Sequence, residues 1–300
     1  MRIYGLRGLS PVTLLKKTVR DFLEDDMTTY ASALSYQVLF SLFPFVIFLI
    51  ALLGFLQLSS FFDWLRGRAE IMLPEEAVGQ VNTVIGELEQ QKSGLLSFGV
   101  IFAIWTASAA MRATMNALNT AYDVKEARPA WKLYPLSILY TIGIAGMLIL
   151  AAALMIIGPQ AVQWVAQQIG MEQLFVTVWA WARWPAALVL MMLAVALLYY
   201  LAPNVEQQFR FITPGAVIAV LVWIIASLGF NYYVRNFGDY SAMYGSIGTI
   251  IVLLLYFFIS AAVFLFGAEL NAVIEHASPS GKNPGEKSLN EADRRSSNTP

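Results

Sequence analysis

The sequence predicts an all-α, polytopic membrane protein: a bundle of six transmembrane helices with cytoplasmic N- and C-termini, plus amphipathic helices in the N-terminal segment and in an external loop. Three observations predict it. Across 300 residues the chain is 58% hydrophobic and only 13% charged, against roughly 25% charged in soluble chains. Six apolar stretches reach the roughly 20 residues that a helix needs to cross about 30 Å of hydrocarbon. Lys and Arg are spread unequally between the loops on the two sides. The same composition excludes much. With no Cys there is no disulfide framework, thiolate nucleophile or Cys-ligated metal, and the single histidine, His276, forbids a site built on two histidines. A net charge of −1 argues against a broad nucleic-acid-binding face.

Residues 1–29 read as a charged cytoplasmic segment. Ser10 and Pro11 supply a helix cap and a first-turn proline, after which Val12, Leu15, Val19, Phe22 and Leu23 fall on one face and Lys16, Lys17 and Arg20 fall elsewhere. Such a helix either lies on an anionic inner leaflet or packs under the bundle. The segment is long and charged, and no small-residue cleavage site follows the first apolar run, which reads against a cleaved signal. The transmembrane domain occupies 30–275. Its spans run from Tyr30 to Leu58, Leu95 to Leu118, Leu133 to Gly158, Trp179 to Leu201, Thr213 to Val234 and Met243 to Leu270. Gly158-Pro159 ends the third, Pro203 ends the fourth, and Thr213 with Pro214 caps and opens the fifth. In the first external loop Leu73-Pro74 opens a second amphipathic segment, with Val78, Val81, Val84, Ile85 and Leu88 at helical spacing, expected to cap the outer face. Residues 276–300, rich in Ser, Pro, Asn, Gly and charge, predict a disordered cytoplasmic tail.

Counting Lys and Arg orients the bundle. The N-terminal segment, the second and fourth loops and the tail carry thirteen; the other three loops carry four, namely Arg66, Arg68, Lys92 and Arg235. Both termini are therefore expected in the cytoplasm, and an even number of spans agrees.

Polar groups are expensive inside lipid, so their positions carry information about function. The first span opens with Ser35, Tyr36, Gln37 and Ser41 before turning apolar, and Pro44 cannot donate to the Phe40 carbonyl, which predicts a kink near mid-depth. A broken, polar-lined half-helix suits a substrate path; small residues that merely permit close packing suit it equally. The second span carries Ala103, Ala107, Ala110, Ala113 and Ala117 as a small-residue stripe, together with Arg112, Asn116 and Asn119. Glu269, followed by Asn271, ends the sixth span at a similar level. Arg112 is expected to pair with Glu269 or with a nearby carbonyl, either as a fastener of the bundle or as a handle for an anionic ligand. Arg183 beside Trp179, Trp181 and Trp184 reads as an aromatic belt with a snorkelling cation.

These residues carry a family resemblance. Asp26-Met27-Thr28-Thr29-Tyr30-Ala31 through Leu34-Ser35-Tyr36 to Ser41-Leu42-Phe43-Pro44 resembles the opening signature of the YihY/BrkB family of bacterial inner-membrane proteins. Ala117-Leu118-Asn119-Thr120-Ala121-Tyr122 with Ala127-Arg128-Pro129 resembles its second block, and Tyr244-Gly245 with Gly267-Ala268-Glu269-Leu270-Asn271 its last. The resemblance implies six spans and an inner-membrane location. It implies no catalytic residue: members were once labelled a transfer-RNA-processing ribonuclease, a label regarded as misassigned, and others are linked to lipid or lipopolysaccharide export. The residues themselves argue against RNA cleavage. Asp25, Asp26, Asp123 and Glu126 have no histidine companions or phosphate-binding glycine loops. The expectation is therefore a transporter or translocator of a lipid or anionic small molecule, with membrane lipids as partners and without enzymatic activity, cofactor, metal or nucleic acid. A non-transporting scaffold for envelope assembly is the alternative.

Overall fold

The computed structural model of the protein describes residues 10–55, 93–156, 172–206, 213–237, 240–278 and 285–287, with Asp63, Arg66, Gly67, Gly79, Asn82 and Gly86 between them. The amphipathic segment expected after Leu73-Pro74, the Gly158-Pro159 stop and most of the tail lie outside these residues. Among the described residues the regular elements are seven helices: α1 Pro11–Glu24, α2 Met27–Phe55, α3 Ser93–Ala121, α4 Ala130–Ile156, α5 Glu172–Leu201, α6 Pro214–Phe237 and α7 Tyr240–Ala277. Helices α2 to α7 are each long and apolar enough to cross a membrane, so the all-helical, six-span reading holds. Observed helices begin and end a few residues from the expected spans, because helix propensity and capping carry a helix beyond its apolar stretch.

Residues 37–110 form one compact unit, and residues 1–36 with 111–300 another. The first unit contains the later part of α2 and the earlier part of α3. Gly99 brings the two backbones together there: a Cβ on it would stand 3.1 Å from the Cα of Phe48. Pro44 is buried within α2, and the helix continues through it.

The second unit holds the core. Met27, Ala31 and Leu34 from α2 pack with Met115, Leu118 and Ala121 from α3, Tyr199 from α5 and Leu265 and Ala268 from α7. Helix α1 begins at Ser10, whose hydroxyl accepts from the Thr13 N–H at 3.1 Å, with Pro11 in the first turn. It packs on α7 through Leu14, against Leu270 and Val273, and through Phe22, whose ring centroid lies 6.0 Å from that of Phe266. Val12, Leu15, Val19 and Leu23 remain exposed. The apolar face expected from the sequence is therefore divided, with Phe22 turned toward α7 and the other four outward.

Helix α6 shows how the sequence sets an N-terminus. Thr213 Oγ1 accepts from the Ala216 N–H at 3.3 Å, and Asn271 Oδ1 of α7 accepts from the Gly215 N–H at 2.8 Å; Pro214 has no N–H to satisfy, so two of the three orphan donors of α6 are paired. Gly215 and Gly267 then let α6 and α7 touch: a Cβ on Gly215 would collide with the Gly267 carbonyl oxygen. Further along, Trp223 Nε1 donates to Ser260 Oγ at 3.0 Å and pins the same pair.

Candidate functional site

The polar residues of the second unit gather where α3, α5 and α7 end and α4 and α6 begin, beside α1 and the first turns of α2. Helix α3 ends in a Schellman motif. The Val124 N–H donates to the Asn119 carbonyl and the Asp123 N–H to that of Thr120, both at 2.9 Å, which places Asp123 at φ 55 where glycine is usual. The corner between α1 and α2 turns in the same way, with Asp26 at φ 53. Aspartate is one of the few side chains that enters this region readily.

Asn119 is 1% exposed and fastens the loops. Its Nδ2 donates to Glu126 Oε2 at 2.9 Å, and its Oδ1 accepts from the Asn204 N–H at 2.6 Å. Glu126 in turn takes a bidentate pair from Arg128, with Nε to Oε1 at 2.8 Å and Nη2 to Oε2 at 2.7 Å. Arg128 Nη2 also donates to the Ala202 carbonyl just past the end of α5, at 2.7 Å, a favourable place for a cation. Burial would raise the Glu126 carboxyl, but the hydrogen bonds from Arg128 and Asn119 outweigh it and hold Glu126 below the usual carboxylate range. Thr120 adds a bond to the Tyr30 hydroxyl at 3.0 Å.

Beside this knot lies a cavity of about 230 Å³ between α1, the α1–α2 corner, the end of α3 and the last turns of α7. Five carboxylates line it, Asp21, Glu24, Asp25, Asp123 and Glu269, with Lys17 and His276. Glu269 is 1% exposed, and its Oε1 receives no hydrogen bond. Asp25 lies within hydrogen-bonding reach of Glu269. Burial, together with the charges of Asp123 and Asp21, pushes Asp25 up to about 6, against the opposing pull of the Glu269 contact. Burial also raises Asp21, with Lys17 opposing. Among the described residues no group of three or more His, Cys, Asp or Glu is placed to hold a metal ion.

The structure separates Arg112 from Glu269, one of the two kinds of partner expected for it. Arg112 is half-buried; its Nη1 donates to Ser137 Oγ at 3.2 Å, and its guanidinium carbon lies 4.4 Å from the centroid of the Tyr134 ring. Glu269 instead faces the carboxylates of α1 and the α3 end. No ion pair joins the two among the described residues, because Arg112 projects from α3 toward α4 whereas the Glu269 face of α7 is covered by α1. Asn271 is a clamp on α6, with Nδ2 donating to Thr213 Oγ1 at 2.9 Å. Ser35 is buried and returns its hydroxyl to the Ser32 carbonyl at 2.7 Å, while Tyr36 and Asn116 are exposed. Gln37, Ser41 and Pro44 belong to the other unit, where Ser41 Oγ donates to the Val38 carbonyl at 2.8 Å. Sequence reasoning missed the cavity. The signal that could have found it was Glu269, an acid in an otherwise apolar helix with no base at helical spacing before it.

The model of the virulence factor BrkB family matches residues 18–292. The chain belongs to this family. Among its relatives, a ribonuclease-like protein of Bacillus subtilis, YfkH, is 37% identical over 264 residues, 88% of this chain and 95% of that protein. A UPF0761 membrane protein of Paraburkholderia xenovorans is 26% identical over 253 residues, 84% of this chain. One from Xanthomonas campestris is 25% identical over 263 residues, also 84% of the chain. The chain spans 57% and 58% of the length of these two relatives. No solved structure matches. In this BrkB-family protein the blocks that carry the resemblance supply Tyr30, Asn119, Arg128 and Asn271 to the fastening contacts and Ala121 and Glu269 to the cavity wall.

Proposed function

We propose that this BrkB-family membrane protein resides in the bacterial inner membrane with both termini in the cytoplasm, and that it translocates a lipid or another anionic solute of the envelope rather than acting as an enzyme. Membrane lipids are its immediate partners in this reading. The observation that carries it is the placement of Arg112. A guanidinium within the span Ser97–Ala121 is half-buried, oriented by the hydroxyl of Ser137 and the face of Tyr134, and Asn116 is exposed one turn further on. A cation held within a candidate span is suited to an anionic headgroup whose acyl chains stay in lipid.

Purified protein reconstituted in liposomes tests it. Movement of labelled phospholipid or of small anions should fall at least tenfold in Arg112→Ala. Wild-type protein that moves neither would sink the reading. The alternative, a non-transporting scaffold in envelope assembly, draws on Asn119 and Asn271, which spend their hydrogen bonds inside the bundle. It predicts no flux but capture of an envelope-assembly partner.

A further inference from the structure

We propose that the carboxylate-lined cavity beside α1 is a binding site for a primary ammonium group, borne by a free amine or by the headgroup of an aminolipid. The proposal does not depend on transport. Five carboxylates from α1, the α1–α2 corner, the α3 end and α7 face one cavity, against Lys17 and His276. A cluster of acids alone would be an ordinary solvated rim. Glu269 sets this one apart: the side chain is 1% exposed, lines the cavity, and its Oε1 has no donor. Buried acceptors are rarely left so, and an orphan points to a missing partner. Asp25 can supply a donor to Glu269 only by carrying a proton. A proton or a cation with N–H bonds can each satisfy the site.

The geometry selects between cations. The acidic groups do not converge as a metal-ligand set, whereas an ammonium offers three N–H donors that can reach separate carboxylates. The cavity of about 230 Å³ exceeds the roughly 30 Å³ share of one water several times over, leaving space for an aminoalkyl group and its hydration. Ala121, Ala272 and Val273 give its methylenes an apolar surface. Helix α1, which brings Lys17, Asp21 and Glu24 to the wall, also carries the exposed stripe Val12, Leu15, Val19 and Leu23. That stripe puts a lipid headgroup beside a free amine as a source.

Titrating the full-length protein in detergent micelles with ethanolamine hydrochloride at pH 7.5 and constant ionic strength tests the assignment. The expected result is a saturable rise in unfolding temperature. Tetramethylammonium chloride, with the same charge and no N–H, should need at least a tenfold higher concentration for the same rise. Glu269→Gln should weaken the apparent affinity at least tenfold, and pH 5 in the wild type, where a proton occupies Asp25, should weaken it as well. An equal response to tetramethylammonium, an unchanged response in Glu269→Gln, or a larger shift with magnesium chloride than with ethanolamine overturns the proposal. If Glu269→Gln does not purify, Asp123→Asn, at an exposed position, carries the comparison with a several-fold loss expected and no loss counting against it. Nanodiscs separate the two sources. Protection that grows as phosphatidylethanolamine replaces phosphatidylglycerol, and that Glu269→Gln removes, assigns a lipid headgroup. Protection by ethanolamine regardless of lipid assigns a free amine. The transport reading is judged on the Arg112 dependence of flux, so failure of one leaves the other standing.

Discussion

Asp123 stands where a backbone needs glycine and a cavity wants a carboxylate. Its φ of 55 closes the Schellman motif of α3, a conformation that disfavours a side chain by roughly 1–2 kcal/mol, part of which glycine gives back through its freer unfolded chain. Asp123→Gly should therefore raise stability by about 0.5–1 kcal/mol while weakening ammonium binding; an unfolding midpoint at or below wild type would count against this account of the turn. The clamp residue behaves oppositely. Asn119→Ala strands the Asn204 N–H and loosens Glu126, and leaving buried partners unsatisfied should destabilise by about 1–3 kcal/mol, visible as a lower midpoint in chemical denaturation. Sequence reasoning singled out Asn119, Glu269 and Asn271 because polar groups near apolar spans stand out. It left open whether they line a substrate path or form a buried polar cluster; in the fold Asn119 and Asn271 are fasteners, and a side-chain amide looks the same in sequence whether it meets a ligand or a loop. The cavity was not legible for a different reason. Asp21, Glu24, Asp25 and Asp123 each lie in a polar stretch where a carboxylate is unremarkable, and only the fold brings them to Glu269.

At the scale of elements the apolar stretches settle which helices exist, because a run of about 20 apolar residues has few other solutions in lipid. Packing is less legible. The pair Gly215 and Gly267 joins α6 to α7 across a separation no periodicity connects, and Gly215→Ala, whose Cβ would collide with the Gly267 carbonyl oxygen, should lose about 1–3 kcal/mol or more. Helix α1 is the other case. Its sequence permits either membrane contact or packing, and the structure packs one side and leaves the other open: Leu14, Thr18 and Phe22 turn toward the protein while Val12, Leu15, Val19 and Leu23 stay exposed. An apolar stripe left open beside Lys16, Lys17 and Arg20 fits the headgroup layer. The absence of native Cys makes single-cysteine labelling direct. A spin label at Leu15→Cys in liposomes should be relaxed more by oxygen than by a water-soluble nickel chelate, and one at Arg20→Cys the reverse. Equal exposure of both labels to the chelate would remove α1 from the membrane surface.

At the scale of the whole molecule two opposed sets of carboxyl groups shape the response to pH. Glu126 is held below its usual range by Arg128 and Asn119, so its contribution to stability is present above about 4.5 and fades only as acid protonates it in the folded state. Asp25 is pushed up to about 6 by burial and by Asp123 and Asp21. Between its ordinary value near 3.9 and about 6, the folded state binds more protons at this site than the unfolded chain. Stability contributed there must therefore fall as pH rises through that interval. The raised Asp21 acts in the same direction. Together these groups place the greatest stability on the mildly acidic side of neutrality rather than at pH 7.5. The unfolding midpoint of the detergent-solubilised protein should thus rise as pH falls from 7.5 through about 6 toward about 4.5, and decline again once Glu126 is protonated. Asp25→Asn should flatten the first limb and leave the second, because it removes the titrating acid beside Glu269 without touching the Glu126–Arg128 pair. Saturating ethanolamine at pH 7.5 should recover part of the same gain, since an ammonium and a proton answer the same unmet charge. A midpoint that climbs steadily from pH 5.5 to 7.5 would mean that the acidic cavity is not the group whose ionisation the fold resists.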